Sequence, residues 1–145
     1  MGMYASILNR TGTTPDIGAV EAPAASMRRI AITKTEFAVD ATPADATLVW
    51  EFMRTATASS GTSVTPSPLN PADAAAVTLT NDVITASSSG GVILDSIPLN
   101  QRATYTWVGY GDGEMIIAAT ANAGIKVRNE SSSSLTARAT VTFRA

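Results

Sequence analysis

From Met27 onward, apolar and polar positions alternate in short runs, with Gly, Pro, Asn and Asp between them. A period of two with frequent punctuation predicts β-strands rather than helices. Ile30 and Ile32 share one face of the first run, and Phe37 and Val39 continue on the opposite parity, which predicts a bulge near Thr35 or two short strands. Residues 46–57 form the strongest strand pattern. Leu48, Trp50 and Phe52 lie on its core face, with Arg54 at the end, against Val49, Glu51, Met53 and Thr55 on a partly wet face. Residues 135–143 alternate cleanly, with Leu135, Ala137, Ala139, Val141 and Phe143 opposed to the polar positions between them. Shorter strands are expected at 77–79, 83–84, 92–99, 104–110, 115–119 and 125–128, with turns at 87–91 and 111–113 and a polar loop tip at 131–134.

The pattern predicts about eight to ten short strands in one domain, hence an all-β fold: an antiparallel two-sheet β-sandwich, with a jelly roll the expected form. One helical turn is expected at 71–76, with Asn70 as its cap and Pro71 at its first position. Residues 59–75 read as a long loop, because Pro66, Pro68 and Pro71 rule out a central strand there. Residues 1–26 look different. An apolar start at 3–8 is followed by Gly12, Pro15, Gly18 and Pro23 with little periodicity. This segment is expected to be an extended N-terminal arm that packs on a neighbouring subunit, leaving 27–145 as the sandwich domain.

Composition narrows the function. The chain of 145 residues carries a net charge of −2 with only 15% charged residues, which argues against a nucleic-acid partner. Apolar residues make up 45% of the chain, enough for a core and too many for a disordered chain. No run approaches the length of a membrane span, and the first ten residues do not read as a signal peptide. The sequons at Asn9 and Asn129 are accordingly read as chance.

Candidate chemistry is sparse. The chain has no histidine and no cysteine, which removes the commonest general base, the commonest transition-metal ligand and the thiol nucleophile. Lys34 and Lys126 are the only lysines, and neither sits in a Ser–Lys motif. The acidic residues are scattered singly at turns or on wet strand faces, as Asp45, Asp73, Asp82 and Asp112 illustrate. Asp112 between two glycines reads as a tight hairpin turn, since it lacks the run of oxygen ligands a Ca²⁺ loop needs. No enzyme activity, metal or cofactor is expected. Tyr105, Trp107 and Tyr110 could form an aromatic platform for a sugar, a second reading of the chain as a carbohydrate-binding module.

The segment running from Arg54 through the Gly61-Thr62-Ser63 stretch and Pro68-Leu69-Asn70-Pro71 to the alanines at 74–76 resembles a family of small virion proteins of tailed bacteriophages. So do Gly113-Glu114-Met115-Ile116-Ile117, the small-residue turn at 121–125 and the last strand. The resemblance covers residues 29–145, and the long N-terminal segment departs from it. It implies a non-catalytic cement or decoration protein on the outer capsid surface, assembled in the host cytoplasm, with the major capsid protein as partner. Family analogy suggests a homo-oligomer, with a trimer as the guess. A tail, neck or head-fibre position is the alternative. Small residues and hydroxyls suit binding by area and shape, and many copies compensate for weak single contacts. The expected interface residues are Met3, Tyr4, Ile7, Leu8, Ile17 and Val20 of the arm, with Val64, Pro66, Pro68, Leu69 and Pro71 of the loop. On this reading, deleting residues 1–23 abolishes capsid binding without unfolding the domain.

Overall fold

The computed structural model describes residues 2–10, 14–23, 28–76, 78–86, 91–129 and 135–145. Residues 87–90 of the expected 87–91 turn and the loop tip at 131–134 lie outside them, as does Val77 at the head of one expected strand. Twelve strands are present among the described residues: β1 (Met3–Arg10), β2 (Asp16–Glu21), β3 (Ile30–Val39), β4 (Thr47–Thr55), β5 (Ser60–Val64), β6 (Ser67–Pro68), β7 (Leu79–Ala86), β8 (Val92–Asn100), β9 (Tyr105–Val108), β10 (Met115–Ile117), β11 (Gly124–Asn129) and β12 (Ala137–Arg144). They form two antiparallel sheets packed as a β-sandwich. Sheet A has the order β10-β3-β12-β1-β6, with β9 also paired to β3, and sheet B the order β5-β7-β2-β11-β4-β8.

The alternation read from the sequence fills the space between the sheets. Leu48, Trp50 and Phe52 of β4 face Ala137, Ala139, Val141 and Phe143 of β12, and all are buried. Phe37 of β3 joins the two sheets: its ring stacks on Trp50 at 4.5 Å and lies 6.0 Å from Phe52 and 5.4 Å from Tyr105. Aromatic contacts of this kind add to the area that each ring buries. The change of parity in β3 is a bulge at Thr33, where Thr142 pairs with Lys34 and Phe143 with Ile32, two residues before the expected Thr35.

The N-terminal segment is not an arm. β1 lies inside sheet A between β12 and β6, and β2 lies inside sheet B between β7 and β11. Tyr4, Leu8, Ile17 and Val20 are core residues, none more than 6% exposed. The missing alternation in β2 has a physical cause: all six of its residues are buried, so it has no solvent face to mark with polar side chains. Gly18 is needed there because a Cβ would come within 2.6 Å of the Asn81 carbonyl oxygen on β7 and 2.9 Å of the Leu8 side chain in the other sheet.

Three further expectations change. The 59–75 stretch is not all loop, since β5 and β6 each form a sheet edge within it. Residues 70–73 form a turn in which Asn70 Oδ1 accepts from the Ala72 N–H at 3.1 Å, with no helix following. The turn at 111–113 does not make a hairpin either. β9 and β10 both run antiparallel to β3, so they are two parts of one edge strand interrupted by a 3-10 turn, Gly111–Gly113. The positive φ (54°) falls on Gly111, not on Asp112 or Gly113.

Among the described residues the edge strands are short, bulged, interrupted or proline-bearing. On β8 the Gln101 N–H bonds to Ala46 O, and counting back along the ladder turns the backbone of Ser96 and Pro98 toward the open edge. Pro98 has no N–H to offer there, and the Ser96 N–H is taken by Asp95 Oδ1 at 2.9 Å. The β9–β10 edge is interrupted by its turn, β6 has two residues, and β5 has five with a register shift between Ser60 and Thr62. Short, bulged or proline-bearing edges resist addition of another strand.

Candidate functional surface

The outer face of sheet A is an open platform. Residues paired directly across strands point to the same side, so the register fixes its rows. One row runs Ala5, Thr142, Lys34, Val108, and the next Ile7, Thr140, Glu36, Thr106. A third holds Asn9, Arg138 and Ala38. Charge on this face is internally paired: Lys34 with Glu36 at 3.1 Å, Arg138 with Asp40 at 3.0 Å, and Arg138 Nε donating to Asn9 Oδ1 at 3.1 Å. These pairs are exposed and contribute little to stability. They do leave hydroxyls, alanines and single apolar side chains as the remaining character of the face. Ile7 is 52% exposed, Val108 43% and Tyr110 83%. Beside Tyr110 a shallow depression of about 380 Å³ is lined by Met3, Thr33, Val108 and Thr142 together with the charged Lys34, Glu114 and Arg144.

The expected interface residues separate into two sets. Tyr4, Leu8, Ile17 and Val20 are in the core and Pro66 is buried, so none of these five forms a surface. Met3 and Ile7 lie on the outer face of sheet A, and the Leu69 N–H bonds to Met3 O at 2.8 Å, which extends that face past β1 with a side chain 57% exposed. Val64 and Pro68 are half-buried, and Pro71 is exposed on the 70–73 turn. Tyr4 fastens the chain just beyond that turn, since its hydroxyl donates to Ala74 O at 2.9 Å.

The aromatic residues do not make one platform. Tyr105 and Trp107 turn inward, Trp107 lying 5.5 Å from Phe52, while Tyr110 stands out in solvent. Trp107 forms a wall of a separate cleft of about 350 Å³ between the free edges of the two sheets, lined also by Arg54, Leu94, Asp95, Glu114 and Met115.

Sequence reading missed a set of buried polar residues. Lys126 Nζ lies 3.4 Å from Asp16 Oδ2, with side chains 7% and 2% exposed. Arg128 Nε lies 3.1 Å from Glu51 Oε2, and Arg10 donates to Asn129. Burial lowers the Arg10 pKa, and the neighbouring Asp16 carboxylate opposes that shift. These groups hold β1, β2, β4 and β11 together at charge centres, and none of them opens on a cleft described above. Among the described residues no group of three or more acidic side chains is placed to hold a metal ion.

Glu21 is fully buried, and desolvation pushes its carboxyl pKa up. Hydrogen bonds from Ser59 oppose that rise: its N–H reaches Glu21 Oε1 at 2.8 Å, and Asn81 Nδ2 supports Ser59 through its O and Oγ, both at 3.3 Å. The Glu21–Ser59 link anchors the crossover from β4 to β5. Because the folded pKa is raised, the unfolded chain releases this proton first. Stability is then fully present below the ordinary value of 4.5 and declines as pH rises through the raised folded value. Glu21→Gln is expected to flatten that decline. Denaturant titrations of both proteins from pH 4 upward would check this, and equal slopes would contradict it.

Comparison with known protein families finds no family model that matches the chain, and comparison with curated proteins finds no match.

Proposed function

We propose that this chain is a non-enzymatic structural protein of a tailed-phage virion, and that it binds and stabilises the capsid as a cement or decoration protein. The resemblance of residues 29–145 to small virion proteins supports this reading. The observation that carries it is the outer face of sheet A, where Ile7, Val108, Leu69 and Thr106 stand exposed beside half-buried threonines and alanines, around charges already paired with one another. Such a face can be covered without stranding a charge, so a partner matched in shape loses little to desolvation.

Magnitudes favour a repeated lattice over a single partner. Four strands at about 4.8 Å and three rows at about 6.8 Å cover an area on the order of 400 Å². A standard interface buries about 800 Å² on each partner. Each copy therefore binds weakly alone, and retention depends on several contacts made together within an oligomer or across the shell. The major capsid protein is the proposed partner and the outer capsid surface the proposed location. The sequence offered the 1–26 arm as a binding element; the present proposal replaces it with this face.

The test is sedimentation of capsids with the double variant Ile7→Glu, Leu69→Glu. Both side chains are exposed, so the fold is expected to survive, while capsid occupancy falls at least about tenfold, the effect of losing about 1.4 kcal/mol. Thr62→Glu, on β5 of the other sheet, is expected to bind as the parent does. Unchanged occupancy of the double variant would reject the face.

A further inference from the structure

The cleft between the free edges of β8 and β9–β10 has a composition that the capsid-binding face does not explain. One wall is the Trp107 ring, backed by Phe52 at 5.5 Å, with Leu94 and Met115 beside it. The polar groups are Arg54, Asp95 and Glu114. Each is held by a second contact. Arg54 Nη1 donates to Ile116 O at 3.0 Å, Asp95 Oδ1 accepts from the Ser96 N–H at 2.9 Å, and Glu114 pairs with Arg144. These contacts fix the side chains before any ligand arrives, which lowers the ordering cost of binding.

We propose that this cleft is a binding site for a neutral saccharide. The choice follows from the pairing of chemistries. A cation would suit Asp95 and Glu114 but would meet the Arg54 guanidinium in the same wall. An anion would suit Arg54 but would meet two carboxylates. An uncharged ring with hydroxyls needs donors and acceptors together, and it presents an apolar C–H face to an aromatic plane. Arg54 supplies donors, the two carboxylates supply acceptors, and Trp107 with Leu94 and Met115 supplies the apolar surface. A volume of about 350 Å³ lies at the small end of ligand sites, suited to one or two sugar rings rather than a long chain. The site does not depend on the capsid reading, since Ile7 and Leu69 take no part in it.

Trp107 and Trp50 are the only two tryptophans, so each indole N–H can be followed separately. Trp50 is 2% exposed and serves as an internal control for the fold. The experiment is a ¹⁵N NMR titration of the full chain with glucose, galactose, mannose, N-acetylglucosamine, maltose and lactose, each to about 20 mM, enough to load a millimolar site. Spermidine and inorganic phosphate are the charged comparisons. The expected result is a saturable shift of the Trp107 indole with at least one neutral sugar, an unmoved Trp50 indole, and affinity weakened at least tenfold in Asp95→Ala. No Trp107 shift with any of the six sugars would overturn the proposal. A shift as large with spermidine or phosphate would do so too, because it would show a charge site. An Asp95→Ala protein that retains the Trp50 signal and binds sugar as the parent does would remove Asp95 from the site and overturn the geometry.

Discussion

A chain lacking residues 1–21 gives no cooperative unfolding transition and no dispersed amide spectrum. The deletion removes β1 from the interior of sheet A and β2 from the interior of sheet B, leaving unpaired edges at β12, β7 and β11. It also removes Tyr4, Leu8, Ile17 and Val20 from the core. At about 1.5–3 kcal/mol for each buried large side chain, the loss is about 6–12 kcal/mol before any ladder hydrogen bond is counted. That is comparable with the whole stability of a domain, about 5–15 kcal/mol. The arm reading predicts the opposite, a deletion mutant that folds and fails only in capsid binding. Circular dichroism of the truncated chain with a thermal scan separates the two outcomes: a sharp transition near that of the parent would restore the arm.

Asp16→Ala is expected to destabilise the protein by about 3–5 kcal/mol, the range for breaking a buried ion pair from one side. Lys126, 5% exposed, would lose the carboxylate 3.4 Å away, and Arg10, 1% exposed, would lose a charge that offsets its own desolvation. The cost comes from taking a carboxylate away from cations in a poorly solvated place, not from losing a strong attraction. The double variant Asp16→Leu, Lys126→Met is therefore expected to recover much of the loss, because it removes one buried charge of each sign and fills the space with apolar atoms. Chemical denaturation of the parent, the single and the double variant provides the measurement. A single variant within about 0.5 kcal/mol of the parent, the usual scale for a surface change, would show that water reaches this cluster.

The sequence was most legible where one face of a strand is buried and the other is not. β12 and the core face of β4 could be read residue by residue, and the change of parity in β3 located its bulge to within two positions. Strands with other environments were misread. β2 is covered on both sides and shows no period, while the glycine and prolines around it resemble the punctuation of a loop. β9 and β10 looked like the two arms of a hairpin because Asp112-Gly113 is a hairpin signal, yet β3 pairs with both along one line. The buried charges were invisible for a further reason. Asp16 and Lys126 are 110 residues apart, and each alone looks like an ordinary surface residue. Of the candidate surface, Met3, Ile7 and Leu69 were picked out for their apolar character, whereas the rows that include Thr106, Thr140 and Val108 follow only from the register. The pairing of Trp107 with Asp95 and Glu114 depends on two sheet edges that the sequence does not place side by side.

The central claim is that the outer face of sheet A meets a capsid lattice. Cryo-electron microscopy of particles from cells that co-express this chain with the major capsid protein tests it most directly. The account predicts ordered density on the outer shell, with Ile7, Thr140, Val108 and Leu69 turned toward the capsid subunits and β5 turned away. Bare shells, or density confined to the tail or its vertex, would contradict it.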